Sequence, residues 1–314
     1  MPKVAIVGAG LIGRAWATVF AGHGWSAALY EPDPRTAKAA RRHIRANLQS
    51  LAKHGLVRGP DRALARVSLA TSLAEALRGA QLAQESGPET VEAKRAIFAE
   101  LDRLAGPQTI LASSSSFIVA SRFTEQLEGR GRCLIAHPVN PPHLAPIVEL
   151  CPSPWTSKQV LARAHRVYDS VGQVPITVKK EAFGFVLNRL QAVLLAEAFR
   201  LVGDDVVSPQ DLDKTIRDGL GLRWSFMGPF ETIELNAPGG IPDYAARYTP
   251  SMTRLATDAI GDEPFSKKNV DAVLRQWTGA QDPERIGALS AWRDGRLTAL
   301  KAHKTKARRK PESR

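Results

Sequence analysis

Long apolar runs are missing from this 314-residue chain, and no uncharged stretch approaches the roughly 20 residues that a membrane-spanning helix needs. No membrane partner is expected. Cysteine is scarce: Cys133 and Cys151 are the only two, each inside an apolar strand-like run. That pattern reads as two buried reduced thiols, not a disulfide, a metal pair or a nucleophile, and no metal site is expected. A charged leader and a cleavage site are absent too, since MPKVAIVGAG enters an apolar strand at once, which makes a cytoplasmic location the default expectation. Internal repeats are lacking, and at 44% hydrophobic and 24% charged residues the bulk of the chain is globular, not disordered.

Acidic residues are the minority charge, 31 Asp and Glu against 43 Lys and Arg, for a formal charge of +12 and a pI near 10.0. Half of that excess sits in KAHKTKARRKPESR at 301–314, which has seven basic residues, one acidic residue and no large apolar side chain. This segment is expected to be a basic, disordered tail. Six net positive charges would give salt-dependent phosphate attachment at most, and no motif with interleaved aromatics accompanies them, so no specific nucleic-acid partner is expected.

The length is about twice that of a typical domain. Apolar strand patterns alternate with helical ones through the first half, at Val4 to Val7, Ala27 to Tyr30, Val67 to Ala70, Leu82 to Glu85, Thr109 to Ala112, Leu134 to Ala136, Ile147 to Leu150 and Val174 to Val178. This alternation predicts an α/β Rossmann-type domain over 1–180, with a doubly wound, mostly parallel sheet. From Phe183 onward apolar residues recur at helical spacing, as in Phe185, Leu187, Leu190, Val193, Leu194, Ala198 and Leu201, which predicts an all-α domain over 181–300.

The first strand leads directly into G-x-G-x-x-G, formed by Gly8, Gly10 and Gly13. Gly8 permits a tight turn, Gly10 lets backbone approach a pyrophosphate, and Gly13 lets the following helix pack closely on the strand. The second strand ends at Glu31, where a carboxylate accepts the adenosine ribose hydroxyls and repels a 2'-phosphate, so NAD is expected over NADP.

The serine run Ser113 to Ser116 follows an apolar strand, where side chains of a doubly wound sheet face the ligand crevice. His137 closes another strand, and Glu149 lies among apolar residues of the next. A buried glutamate needs a partner, and an antiparallel return would bring it beside His137. Such a pair suits alcohol oxidation, with His137 taking the hydroxyl proton and Glu149 fixing its tautomer. Asn188 is a polar residue in an apolar helical stretch, readable as a packing amide or as a donor to the developing carbonyl.

Three stretches, AHPVNPPHLAPIVEL at 136–150, EAFGFVLNRLQ at 181–191 and GLGLRWSFMGPFETIELN at 219–236, together with the glycine turn, resemble the 3-hydroxyacyl-CoA dehydrogenase superfamily. The likeness is greatest to its lambda-crystallin branch, whose members act as L-gulonate 3-dehydrogenases. The resemblance implies a catalytic set of Ser116, His137, Glu149 and Asn188, and cofactor contacts from Leu11, Ile12, Glu31, Glu89 and Lys94. It implies a homodimer and the NAD-dependent oxidation of a small anionic 3-hydroxy acid, L-gulonate above others, with 3-hydroxyacyl-CoA and L-carnitine as alternative substrates. A crystallin-like structural NADH-binding role is the reading outside enzymology. Two departures stand out: Glu31 replaces a more usual Asp, and Phe117 occupies a position that is small or polar in relatives. Arg223 reads either as a bidentate fork for a substrate carboxylate or as a salt-bridge residue.

Overall fold

The computed structural model describes residues 1–258, 263–277 and 282–307. The chain divides into two compact units, one of Met1–Asn188 with Leu289–Arg314 and one of Arg189–Ala288.

In the first unit β1 (Lys3–Val7), β2 (Ser26–Tyr30), β3 (Val67–Ala70), β4 (Leu82–Glu85), β5 (Ile110–Ser113), β6 (Cys133–Pro138), β7 (Ile147–Pro152) and β8 (Val174–Thr177) form one sheet. Its order is β3-β2-β1-β4-β5-β6-β7-β8, and every neighbouring pair is parallel except β6 with β7. Each apolar run singled out in the sequence becomes one of these strands. The reason is visible along β1, where Val4 and Ile6 enter one core cluster while Ala5 and Val7 enter another. A strand covered on both faces must be apolar throughout. Trp16, Phe20, Leu29, Ile44, Leu48 and Tyr168 fill one face, and Leu77, Phe98, Leu101, Leu111 and Phe123 the other. Full burial of each large side chain stabilises the fold by about 1.5–3 kcal/mol.

Between the strands in sequence run α1 (Leu11–Gly22), α2 (Pro34–Lys53), α3 (Pro60–Ala65), α4 (Leu73–Leu77), α5 (Val91–Leu104), α6 (Ser121–Thr124) and α7 (Lys158–Ser170). Several start on side-chain caps: Asp33 accepts from the N–H groups of Arg35 and Thr36, Thr90 from Ala93, and Ser157 from Val160. β1 lies between β2 and β4, so the chain reverses its direction of winding there. The carboxyl ends of β1 and β4 therefore flank the crevice where ligands of open α/β sheets bind.

The second unit takes most of α8 (Leu187–Gly203) and all of α9 (Pro209–Lys214), α10 (Gly221–Trp224), α11 (Pro229–Glu234), α12 (Gly240–Asp258) and α13 (Lys267–Gln276), with a π-helical turn over Thr215–Leu220. No strand occurs among its described residues. Leu190, Phe230, Leu235 and Leu255 expose most of their side chains.

The C-terminal region corrects two expectations. α14 (Pro283–Lys306) continues six residues into the segment read as a disordered tail, and its residues from Leu289 onward belong to the first unit instead of the second. Leu297 packs against the first unit's core, Thr298 is buried, and Lys301 Nζ donates to the His143 carbonyl at 2.7 Å. The absence of large apolar residues after Leu300 hid this, because a helix nucleated upstream extends at little cost. Residues 308–314, the rest of that segment, lie outside the described residues. Among the described residues no helix is long and apolar enough to cross a membrane.

Candidate active site

The glycine turn joins β1 to α1. Gly8 has φ +95, and a Cβ there would stand 2.7 Å from the Ser86 carbonyl oxygen. At Gly13 a Cβ would meet the Gly8 oxygen at 1.9 Å, so strand and helix approach each other only because both residues lack side chains. Around Gly10 a Cβ would find open space. Gly10 is the N-cap of α1, makes no side-chain cap, and no acidic residue lies in the first turn, which begins with Leu11 and Ile12. Unpartnered N–H groups at a helix N-terminus favour an anion. Leu11 is half exposed beside the turn, while Ile12 packs against the core. Glu31, just past β2, accepts from Ala9 N at 2.9 Å through Oε2, which fastens its carboxylate to the same turn. An open, uncapped, glycine-built cradle beside a fixed carboxylate fits a dinucleotide with free ribose hydroxyls.

Glu89 and Lys94 brace the loops that follow β4 and β5. Lys94 is buried and holds both oxygens of Glu85 at 2.9 and 3.0 Å, with Glu89 Oε2 at 3.5 Å. Glu85 also accepts from the Ser113 hydroxyl at 2.6 Å and from Gly87 N. Glu89 Oε1 accepts from the Ser115 hydroxyl and from the N–H groups of Ser116 and Phe117 at 2.6, 2.9 and 3.1 Å. Burial opposes ionisation of Glu89, but the Ser115 hydroxyl, the Lys94 ammonium and the two N–H groups outweigh it and hold its carboxyl below the usual range.

These bonds divide the serine run. Ser113 and Ser115 are engaged by Glu85 and Glu89, and the Ser114 hydroxyl meets Trp16 Nε1, Gln84 Nε2 and Ser86 Oγ. Ser116 keeps a hydroxyl without a hydrogen-bond partner among the described residues, and its carbonyl accepts Asn188 Nδ2 at 3.0 Å.

His137 lies inside β6 instead of closing it, directly opposite Glu149 in the antiparallel β6–β7 register. His137 Nδ1 is 2.8 Å from Glu149 Oε2, and both side chains are buried. Glu149 Oε1 accepts from the N–H groups of Val186 and Leu187 at 2.9 and 3.0 Å, so it also satisfies the start of α8. Where Glu149 Oε2 accepts as Oε1 does, the proton of the His137–Glu149 bond sits on Nδ1. That leaves Nε2 with its lone pair. The Phe185 ring, fully buried at φ +51, stands 5.4 Å from the imidazole. Asn188 follows Leu187 by one residue, so the start of α8 links Glu149 to the serine loop. Ser116, His137, Glu149 and Asn188 are thereby joined through one chain of contacts. Arg223 stands exposed on α10 of the second unit, directly after the π-helical turn.

Sequence reading missed Glu85, which had been absorbed into an apolar strand. Its signal was a carboxylate closing a strand that is buried on both sides, which demands a buried cation nearby, and Lys94 is that cation. Phe185 carried no such signal.

Residues 3–182 match the family model for the 3-hydroxyacyl-CoA dehydrogenase NAD binding domain, and residues 184–276 match that for its C-terminal domain. Rabbit (Oryctolagus cuniculus) lambda-crystallin is 41% identical over 95% of this chain and 94% of its own. L-carnitine dehydrogenase of Pseudomonas putida is 32% identical over 94% and 92%. The solved structure of FHMPC 5-dehydrogenase, an NAD+-dependent dismutase, shares 26% identity at a TM-score of 0.82, covering 96% of this chain and 97% of that one. With a Rossmann-type sheet, a dinucleotide cradle and both family domains in order, this chain belongs to the 3-hydroxyacyl-CoA dehydrogenase family and binds NAD through its first unit.

Proposed function

We propose that this protein oxidises the 3-hydroxyl of a free 3-hydroxy acid, L-gulonate to 3-dehydro-L-gulonate by resemblance, with His137 as general base oriented by Glu149. The observation that carries the reading is the 2.8 Å bond from His137 Nδ1 to Glu149, which leaves Nε2 as the proton acceptor. Bound NAD+ supplies the acceptor for the hydride lost from C3. Gly8, Gly10, Gly13, Leu11 and Ile12 form its cradle and Glu31 meets the ribose, while Glu89 and Lys94 hold the adjoining loops in place.

As the hydroxyl proton passes to His137 Nε2, the imidazolium that forms is stabilised by the Glu149 carboxylate at Nδ1. The Ser116 hydroxyl, which has no hydrogen-bond partner among the described residues, donates to the substrate oxygen, and the second N–H of the Asn188 amide supports the carbonyl as it develops. A planar fork for the substrate carboxylate, the role that the sequence gives to Arg223, would favour a free acid over a thioester. Similarity to a lambda-crystallin and to an L-carnitine dehydrogenase supports the same choice, both being nearly full-length relatives. The exposed apolar side chains of the second unit fit a homodimer interface, and an intact Ser116, His137, Glu149 and Asn188 set has no use in a purely structural protein.

Initial rates of NADH formation on L-gulonate, 3-hydroxybutyrate, L-carnitine and 3-hydroxybutyryl-CoA test the proposal. Turnover of a free acid is expected, and a clear preference for the thioester would overturn it.

A further inference from the structure

Phe117 and Phe183 are the two side chains beside this site whose chemistry the dehydrogenase reading leaves unused. Phe117 directly follows Ser116, and Phe183 lies in the turn over 183–186 that leads into α8. Their ring centroids are 5.5 Å apart with planes inclined at 36°. Both remain open to solvent, at 46% and 73% exposure.

The rings are also held where they are. Glu89 accepts the N–H of Phe117 at 3.1 Å, which fixes the backbone that carries the first ring. Glu181 Oε1 accepts Ser121 N at 2.8 Å, and Asn188 bonds the Ser116 carbonyl at 3.0 Å. The segment bearing Phe183 is therefore pinned on one side to the start of α6 and on the other to the serine loop. An apolar surface carried by the residue next to Ser116 and fixed by polar bonds behind it is built for contact with a ligand.

Resting on the reading of a free 3-hydroxy acid as substrate, but departing from L-gulonate as the preferred acid, we infer that Phe117 and Phe183 determine substrate choice by forming an apolar wall for the chain beyond C3, so that hydrocarbon-tailed and aryl 3-hydroxy acids are preferred to polyhydroxylated ones. A polyol laid on two phenyl rings would lose water from hydroxyls that the rings cannot satisfy, whereas a hydrocarbon or aryl tail buries apolar surface there. Carboxylate recognition and the His137–Glu149 chemistry stay the same for both classes, so the wall acts on selection between tails and leaves the reaction itself unaltered.

The experiment measures kcat/KM for L-gulonate, 3-hydroxybutyrate, 3-hydroxyhexanoate and 3-hydroxy-3-phenylpropanoate with the intact protein. The same series is run on the Phe117→Ser/Phe183→Ser and Phe117→Leu/Phe183→Leu variants, with thermal unfolding as the check on folding. The unaltered protein should prefer the hexanoate and phenyl acids to L-gulonate. The serine pair should lower kcat/KM on those two by about tenfold or more, the range that apolar pocket contacts command, with 3-hydroxybutyrate little changed and the leucine pair retaining most of the preference. A preference of the unaltered protein for L-gulonate, or an equal loss on all acids in the serine variant, overturns the wall while leaving the dehydrogenase reading intact. Absence of turnover on every free acid overturns both.

Discussion

Glu149 stands across the β6–β7 ladder from His137, and its two oxygens are committed to different partners, Oε2 to the imidazole at 2.8 Å and Oε1 to the N–H groups of Val186 and Leu187, where α8 begins, at 2.9 and 3.0 Å. One carboxylate thus meets both the imidazole and the start of the helix that carries Asn188. Glu149→Gln keeps an oxygen for the α8 donors but turns an amide N–H toward His137. That forces the proton onto Nε2 and should lower kcat by about 10⁴-fold with little change in unfolding midpoint. His137→Gln should cost about 10²–10⁴-fold while NADH titrations read by protein fluorescence stay unchanged. Full turnover by either variant would remove the pair from the chemistry.

Lys94 offers a test on stability. Its ammonium is buried against the fully buried Glu85, so Lys94→Met strands a carboxylate in the core. Removing one partner of such a pair costs about 3–5 kcal/mol, and urea midpoints should fall accordingly. The double variant Glu85→Gln/Lys94→Met should recover part of that loss, since no uncompensated charge remains. Equal midpoints for the two variants would show that the ion pair is not what holds these loops.

How much of this was legible in the sequence follows from where each signal resides. Strands buried on both faces announce themselves as apolar runs, and a carboxylate inside one, such as Glu149, demands a partner that the antiparallel return supplies. Glu89 and Lys94 gave no such sign, because their partners come from β4 and from the loop after β5, and only tertiary placement reveals them. The end of α14 was misread for a related reason. The residues that anchor it, Leu297 and the Lys301 contact with the His143 carbonyl, are specified by the first unit and not by the composition of the segment itself.

The ribose contact proposed for Glu31 can be tested through the choice of cofactor. Its carboxylate is tied to Ala9 N at 2.9 Å, where it can meet ribose hydroxyls and repel a phosphate. Glu31→Ser should reduce kcat/KM for NAD+ by about tenfold or more, the worth of a charged hydrogen bond, and narrow the preference over NADP+. An unchanged NAD+/NADP+ ratio would dissociate Glu31 from the ribose.

The end of α14 can be tested by truncation. Stopping the chain after Leu300 removes the donor to the His143 carbonyl, a hydrogen bond worth about 0.5–1.5 kcal/mol. The melting temperature should fall by roughly 2–4 °C with the NADH-forming rate retained. A chain that melts unchanged would mean that this last turn contributes nothing to the fold.

His143 sets an acid limit on stability. Its ring is buried, with Nδ1 lacking a hydrogen-bond partner, and burial depresses its pKa from 6.5 to about 4. Asp294 pulls the other way, while the positive charges of Lys301 and Arg14 add to the depression. The unfolded chain therefore takes up a proton as pH falls below 6.5, and the folded chain refuses it until pH is near 4. Stability is complete above the unfolded value and declines through that window, by on the order of 3 kcal/mol for a shift of this size. His143→Phe removes this titration without stranding a bonded partner of the ring, so its urea midpoint should decline less between pH 6.5 and 4 than that of the unaltered protein, with His23, whose pKa burial also lowers, contributing to the slope that remains. Parallel declines in the two proteins would assign the acid limb to other groups.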